Sequence, residues 1–298
     1  MHYLITHVTS YEYPETVAVC HNRVRLTPRK TNRQVCHRFQ LEVDPVPDSV
    51  TRQSDYFGNL TDYFSIHGFD QKLKVASLSE VEVQPSLELW PEDSEPWESV
   101  RANIKSDLSS QGLRIFQLSL ASSRVQLSEE LREYTLQSFT NSRPITDAVQ
   151  DLNRRIHEDF VFDQEATTVH TTIDEVFQLR RGVCQDFAHL AIGCLRSIGL
   201  AARYVSGYVR TTPPPGAPRL VGADASHAWL SVFCGKLGWV DLDPTNNLLS
   251  SDSHICVAWG RDYDDVCPIQ GVFVGGGRHE LHVSVDVIPW DELPLQNS

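Results

Sequence analysis

The sequence contains no basic run and no long apolar run. Its 298 residues include 26 lysines and arginines against 39 aspartates and glutamates, and its formal net charge is −13. An evenly acidic chain repels nucleic-acid phosphates and anionic lipid headgroups, so we expect neither a nucleic acid nor a membrane as a partner. No stretch approaches the roughly 18 apolar residues of a membrane span, and the opening MHYLITHVTSYEY lacks the charged and apolar regions of a secretory leader. We therefore expect a cytoplasmic protein.

Cysteine is also sparse. The chain has seven cysteines, an odd number, at the scattered positions 20, 36, 184, 194, 234, 256 and 267, and none of them forms a Cys-x-x-Cys pair. This pattern is not that of a disulfide framework, and it fits a reducing compartment. A zinc site has little support, although the spacing His279-x-x-His282 is compatible with one. We expect no metal and no cofactor.

The order of patterns along the chain indicates the fold class. With 41% hydrophobic residues, the chain can bury a substantial core. Apolar and polar residues alternate as in strands up to about residue 85, for example in HRFQLEVDP (37–45). Helical spacing follows, as in DAVQDLNRRIHEDF (147–160), and strand patterns return after 200 and end with ELHVSVDVIP (280–289). This β, α, β order predicts an α+β protein.

We predict two domains. Residues 1–90 form an N-terminal β-domain, and residues 91–298 form a second domain whose core spans about 145–250. The C-terminal strands, 254–289, are expected to pack back on the N-terminal domain. TPPPGAP (212–218) is predicted to be a proline-rich loop.

RRGVCQDFAHLAIGCLRSIGL, residues 180–200, predicts one helix with two cysteines. Counted from Cys184, apolar residues recur at +3, +4, +7, +10, +11 and +14, which places one buried stripe on a helix that ends at Gly199. Cys194 lies in mid-helix on this stripe and is interpreted as a core residue. Cys184 lies at the N-terminus, where unpaired N–H groups and the helix dipole stabilise a thiolate. Helical phase alone leaves Cys184 open as a nucleophile or as a buried thiol.

A predicted β-hairpin over 224–247 supplies a histidine and an aspartate. SHAWLSVF and LGWVDLDP are typical of strands, and they flank a three-residue turn at 234–236. In that register His227 lies directly opposite Asp243, with Cβ atoms about 5 Å apart. Asp241 is the rival partner, because it shares the face but lies one diagonal away, at about 7–8 Å.

Four segments together resemble the transglutaminase-like superfamily of papain-type cysteine enzymes. They are RGVCQDFAHL (181–190), RYVSGYV (203–209), SHAW (226–229) and GWVDLDPTN (238–246). More narrowly, the chain resembles bacterial transglutaminase-like proteins described as candidate cysteine proteases. Their N-terminal β-domain is matched by YEYPETV, RVRLTPR and DYFGN, and their C-terminal signature by HICVAWGRDYDDVCPIQGVFVGG (254–276). The resemblance implies a papain/transglutaminase-like core, in which the nucleophile helix packs on an antiparallel sheet, beside an N-terminal β-sandwich-like domain.

The resemblance also implies a role for several residues. Cys184 is the nucleophile, His227 is the general base and acid, and Asp243 holds the imidazole. The thiolate attacks an amide carbonyl, His227 protonates the leaving amine, and a thioester remains. The backbone N–H of Cys184 is one expected oxyanion donor, and Gln185 and Tyr208 are candidates for substrate binding or for the second donor.

Two tryptophans and an acidic loop have open interpretations. Trp229 and Trp239 either wall a tunnel for the acyl group or shield one face of the hairpin. The charges of GRDYDDV (260–266) either line a substrate cleft or stabilise a tight loop.

Three functions of different kinds stay open. The leading hypothesis is a cysteine hydrolase that cleaves an amide, peptide or isopeptide bond in a peptide, protein or polyamide. The second is a transglutaminase that transfers a glutamine acyl group to an amine, because the sequence does not determine whether water or an amine takes the acyl group. The third is a non-catalytic binding scaffold, against which the complete set of Cys184, His227 and Asp243 argues. The sequence carries no signal of oligomeric state.

Overall fold

A computed structural model describes residues 1–85, 94–211 and 225–293 of the chain. The predicted boundary between residues 90 and 91 and the proline-rich loop 212–218 lie outside the described residues. The division into domains 1–90 and 91–298 stays a prediction.

Six strands form the first part of the chain, and their burial follows the alternation of apolar residues. In the sixth strand every second residue from Leu73 to Val83 is buried, including Ser77 and Ser79, while the residues between them are half-buried or exposed. The strands are β1 (His2–Glu12), β2 (Val17–Val24), β3 (Gln34–Asp44), β4 (Ser49–Ser54), β5 (Leu60–Phe69) and β6 (Lys72–Val83).

Helices fill the middle of the chain. The fourth helix buries Val149, Leu152 and Ile156 at helical spacing, as the sequence predicts. Within the described residues, none of the helices is long and apolar enough to span a membrane. The elements are α1 (Trp97–Ser106), α2 (Ser110–Phe116), α3 (Glu129–Leu136), α4 (Ile145–Asp159), β7 (Val161–Phe162), α5 (Ile173–Leu179), β8 (Arg181–Gly182) and α6 (Cys184–Ser197).

A five-stranded antiparallel sheet follows the helices, and α6 packs against two of its strands. The strands are β9 (Ala202–Val209), β10 (Ala225–Phe233), β11 (Trp239–Asp243), β12 (Leu248–Leu249) and β13 (His254–Gly260), in the order β12-β11-β10-β9-β13. Helix α6 lies against β9 and β10. The predicted arrangement, a helix that begins at Cys184 on an antiparallel sheet, is confirmed.

Arg196 ties the C-terminal end of α6 to its surroundings. Its side chain is only 2% exposed, and burial lowers its pKa to about 10. The guanidinium donates hydrogen bonds to the carbonyl oxygens of Leu118 (2.8 Å), Ala202 (2.8 Å) and Arg261 (2.7 Å). Because these carbonyls belong to three separate segments, the arginine holds α6 in one position on the sheet.

The last strands of the chain complete two four-stranded sheets with the N-terminal strands. After α7 (Tyr263–Val266), β14 (Ile269–Gly275) pairs with β2, and β15 (Glu280–Pro289) pairs with β1. The sheet orders are β15-β1-β6-β3 and β14-β2-β5-β4, and the two sheets share a core that includes Cys20, Ile66 and Val75. This is the predicted β-sandwich. The strands that return to it are β14 and β15, whereas β13 lies in the central sheet beside β9.

The sandwich contacts the central sheet through the segment before β3 and the start of β3. The Gln34 side-chain amide donates to the Cys256 carbonyl oxygen (2.7 Å) and accepts from the Cys256 N–H (2.8 Å). The Arg29 guanidinium lies 3.6 Å from the centre of the Trp259 ring. Both bonds and the stacking fix β13, the strand that also carries His254, against the N-terminal region.

Candidate active site

The entry into α6 places Cys184 at the first turn of the helix. The Asp186 carboxylate accepts from the Val183 N–H (2.8 Å) and from the Thr167 hydroxyl (2.6 Å), so it caps the helix from its third position. A Cβ at Gly182 would lie 2.6 Å from that carboxylate, which explains the glycine. Cys184 itself is half-buried, next to the unpaired N–H groups of the helix start.

His227 connects Cys184 to a buried carboxylate. Its Nε2–H donates to Asp243 Oδ2 at 2.8 Å, and the Cys184 thiol interacts with the same imidazole. Burial alone would lower the pKa of His227, but the hydrogen bonds with Asp243 and Cys184 more than offset it and raise the pKa to about 10. These contacts favour the imidazolium form. The three side chains that the resemblance singles out therefore lie together, with His227 interacting with both Cys184 and Asp243.

The observed hairpin register differs from the predicted one. Leu230 pairs with Leu242 and Phe233 with Trp239, so the turn has five residues, 234–238, and not three. This slides β11 by two residues, so the prediction that His227 lies directly opposite Asp243 is wrong. Because a shift of two residues preserves the face, Asp243 still reaches His227 along a diagonal.

The Asp243 carboxylate is completely buried and has five hydrogen-bond donors around it. Besides His227, Oδ2 accepts from Asn246 Nδ2 (2.7 Å) and His254 Nε2 (3.2 Å), and Oδ1 accepts from the N–H groups of Thr245 (3.0 Å) and Asn246 (3.2 Å). Burial would raise the pKa of Asp243, but these bonds hold it well below the ordinary range. The carboxylate therefore stays ionised and oriented.

His254 and Asn246 belong to the site, although the sequence predicts no role for them. Asn246 has a local signal, since Asp-Pro-Thr-Asn is a turn in which the aspartate binds the following N–H groups. His254 has none. It begins β13, and its Nδ1 accepts from the Ser251 N–H (3.2 Å), which leaves Nε2–H to donate to Asp243. Only the pairing of β13 with β9 brings it to the site.

Asp241, Trp229 and Trp239 make contacts within the hairpin. Trp229 is completely buried, its indole N–H points to Asp241 Oδ2 (3.4 Å), and its ring stacks on His227 at 6.2 Å. A Cβ at Gly207 would lie 2.6 Å from the indole, so the glycine makes room for it. Trp239 pairs with Phe233. Along their common strand, Phe233 lies about 20 Å from His227, at a rise of roughly 3.3 Å per residue. These contacts favour the interpretation in which the tryptophans shield one face of the hairpin, and the tunnel interpretation stays a prediction.

Gln185 and Tyr208 are the two residues predicted to bind the substrate or the oxyanion, and of these only Gln185 is adjacent to Cys184 in the chain. It is half-buried and follows Cys184 in α6. Tyr208 is buried, and its hydroxyl bonds His7 Nδ1 of strand β1 at 2.9 Å. The Tyr208 hydroxyl therefore links the central sheet to the sandwich, and we assign it no oxyanion role.

The acidic loop 260–266 is held by hydrogen bonds within the protein. The buried Asp262 carboxylate accepts from the Arg124 N–H (3.0 Å), Arg124 pairs with Asp264 (2.9 Å), and Arg261 pairs with Asp265 (2.8 Å). These bonds tie the loop to the segment before α3. They favour the interpretation as a stabilised tight loop over that of a substrate cleft.

The histidines of the His-x-x-His motif do not converge. His279 packs among aromatic rings, with the Tyr13 and Phe273 ring centres 5.3 and 5.4 Å away. His282 is exposed and lies 3.9 Å from Glu280. Across residues 1–85, 94–211 and 225–293, one group of three potential metal ligands occurs, His2, His37 and Glu82 in the sandwich, away from Cys184.

Comparison with known proteins gives consistent matches over most of the chain. Residues 3–82 match the bacterial transglutaminase-like N-terminal region, and residues 132–244 match the transglutaminase-like superfamily. An uncharacterized protein of Mycobacterium tuberculosis is 40% identical over 298 residues, covering 97% of this chain and 93% of the relative. A protein-glutamine gamma-glutamyltransferase of Pseudomonas aeruginosa is 31% identical over 122 residues, which cover 40% of this chain and 17% of that enzyme.

The fold comparison agrees. The crystal structure of a candidate cysteine protease from Cytophaga hutchinsonii superposes with a TM-score of 0.76 at 19% identity, covering 99% of this chain and 93% of that one. Such a superposition extends over both the sandwich and the central sheet. The chain belongs to the transglutaminase-like superfamily and carries the N-terminal region of its bacterial members.

Proposed function

We propose that the protein is a cysteine hydrolase that cleaves an amide, peptide or isopeptide bond through a thioester on Cys184. The observation that carries this proposal is the grouping of Cys184, His227 and Asp243 at the N-terminus of α6, with His227 bonded to Asp243 and interacting with Cys184. A cysteine nucleophile needs a base within hydrogen-bond reach and a third group that orients the base. His227 and Asp243 meet both conditions.

In the first step the Cys184 sulfur attacks the carbonyl carbon of the substrate amide. The carbonyl electrons move to oxygen, and the N–H of Cys184 at the start of α6 donates to that oxyanion. When the intermediate collapses, the C–N bond breaks and the His227 imidazolium gives its proton to the leaving amine. The thioester and a neutral imidazole remain.

In the second step water releases the acyl group. Neutral His227 takes a proton from a water molecule, whose oxygen attacks the thioester carbonyl. The C–S bond breaks, the carboxylic acid leaves, and the proton on His227 restores the thiolate–imidazolium pair. Asp243 keeps the imidazole oriented through both steps because its Oδ2 holds Nε2–H.

A second candidate function is transfer of the acyl group to an amine. The similarity to the Pseudomonas aeruginosa protein-glutamine gamma-glutamyltransferase supports it. The chemistry up to the thioester is the same, and the acceptor alone differs. We place hydrolysis first, and we propose a peptide, protein or polyamide substrate and a cytoplasmic location.

Selective alkylation tests the activated thiolate. At pH 6, iodoacetamide should modify Cys184 faster than Cys36, which is also half-buried but whose pKa is raised by burial. Peptide mass spectrometry of a time course gives both rates in one sample. His227→Ala should slow the alkylation of Cys184 without changing the alkylation rate of Cys36. Equal rates for the two cysteines in the parent protein would contradict the proposal.

A competition between water and an amine separates the two functions. The protein is incubated with a glutamine-containing protein and a fluorescent primary amine, and both ammonia or peptide release and amine incorporation are measured. Release without incorporation is the result that we expect. Incorporation that scales with the amine concentration would instead establish the transferase.

His254→Phe tests whether the hydrogen bond from His254 to Asp243 supports catalysis. Phenylalanine keeps the ring that packs on Trp229 but removes the Nε2–H donor to Asp243. Loss of one hydrogen bond to a charged group, about 1.5–3 kcal/mol, corresponds to a fall of about 10- to 100-fold in kcat/KM. His254→Gln, which retains a donor, should recover part of the activity. Parent-like activity in His254→Phe would show that Asp243 is oriented without His254.

A further inference from the structure

Three potential metal ligands meet on one face of the β15-β1-β6-β3 sheet. His2 of β1 lies directly opposite Glu82 of β6 in the antiparallel pairing. On the other side of β6, strand β3 carries a bulge between Cys36 and Arg38, and His37 is the extra residue of that bulge. Bulges commonly redirect a side chain. Here the bulge brings a second histidine to Glu82.

The separations among these ligands are close to those around a small cation. Glu82 Oε2 lies 3.4 Å from His2 Nε2 and 3.1 Å from His37 Nε2, and all three ligand atoms lie within 4.8 Å of one another. Zinc bonds of about 2.0–2.2 Å in a tetrahedron place neighbouring ligands about 3.3–3.6 Å apart. The two imidazole rings are stacked, with planes 7° apart and centres 5.8 Å apart, and Nε2 of each ring lies beside Glu82 Oε2.

The chemistry of the three groups also suits a transition metal. Two imidazoles and one carboxylate form a common ligand set of zinc, and each would bind in its neutral or anionic form. The His2, His37 and Glu82 side chains are 55%, 46% and 35% exposed, which leaves access for the ion and room for water as a fourth ligand. The net charge of −13 attracts cations to the whole surface.

We propose that His2, His37 and Glu82 bind one divalent transition-metal ion, zinc in the first instance. The ion would join three neighbouring strands, β1, β6 and β3, and so clamp the edge of the sandwich. This site is independent of the chemistry at Cys184. Because the folded sheet assembles the three ligands from distant parts of the chain, zinc should bind the folded protein and stabilise it.

Zinc titration by calorimetry at pH 7.5 tests the site on the full chain. We expect one zinc ion to bind at His2, His37 and Glu82. Its affinity should fall by at least about tenfold in Glu82→Gln and in His37→Ala. The matched control is His67→Ala. It breaks an exposed pair between His67 and Asp48, 2.9 Å apart, to which the described residues add no third ligand. Zinc affinity in His67→Ala should equal that of the parent. Equal weakening in all three variants, or parent-like affinity in Glu82→Gln, would overturn the proposal.

Two further measurements separate this site from the thiol and from misfolding. Cys184→Ala should bind zinc at this site as the parent does, and cobalt should show d–d absorption without the thiolate charge-transfer band that a cysteine ligand adds. Thermal melts without metal should be alike for parent, His37→Ala and His67→Ala, because both histidines are exposed. Zinc should then raise the Tm of the parent and of His67→Ala but not of His37→Ala. Loss of binding in Cys184→Ala would instead assign the zinc to the thiol.

Discussion

Cys184→Ala should reduce amide or isopeptide hydrolysis by at least about 10⁴-fold, because no other group in the site can form the thioester. Alanine suits the first turn of α6, and the side chain is only half-buried, so the fold should be retained. The measurement is kcat/KM for amine or ammonia release, with thermal melts to verify folding.

The matched control for this experiment is Cys36→Ala. Cys36 is equally half-buried but lies in strand β3 of the sandwich, so its removal should leave kcat/KM unchanged. Activity that survives in Cys184→Ala would assign catalysis to another group. Absence of any activity in the parent, across peptide, protein and polyamide substrates, would favour the non-catalytic scaffold.

Asp243→Asn is expected to lower kcat by about 10⁴-fold while leaving the shape of the site almost unchanged. The Oδ2 atom accepts from His227, His254 and Asn246, whereas an asparagine has one oxygen and an NH₂ group that cannot accept. One or more of these donors then faces another donor. The imidazole of His227 is no longer held with its proton on Nε2, and it loses the charge that stabilises its protonated form.

Asp241→Asn is the control for this substitution. Asp241 lies two residues away on β11 and interacts with the Trp229 indole N–H, which an amide oxygen also accepts. Its kcat should remain within a few fold of the parent. The rate of Cys184 alkylation at pH 6 should fall in Asp243→Asn and not in Asp241→Asn. A similar loss of kcat in both variants would mean that the hairpin as a whole, and not the carboxylate of Asp243, matters.

The helix that begins at Cys184 shows what local sequence predicts well. Its apolar stripe and the glycine stop predict the span from Cys184 to Ile198, and the structure has α6 over Cys184–Ser197 with Gly199 at φ +81°. Both signals act within a few residues. The stripe follows from the helical repeat, and the stop follows from the left-handed conformation that glycine adopts without strain.

The hairpin shows a feature that local sequence does not predict, which is the register of its two strands. Alternation correctly put His227 and Asp243 on one face, because a strand has a period of two. It did not indicate the length of the turn, in which a 3₁₀ segment lies between Gly235 and Leu237 and both Gly235 and Gly238 have positive φ. A change of two residues in register leaves every face unchanged, so the pattern carries no information about it.

By itself, the sequence determined the α+β class, the helix that begins at Cys184 and the shared face of His227 and Asp243, because these depend on the periodicity of single elements and on the order of the elements along the chain. Only the tertiary structure decided what surrounds these residues. His254 reaches Asp243 because β13 joins the far edge of the sheet, and the Tyr208 hydroxyl bonds His7, 201 residues away. Contacts between strands that are distant in sequence depend on the packing of the whole chain, and no local pattern encodes them.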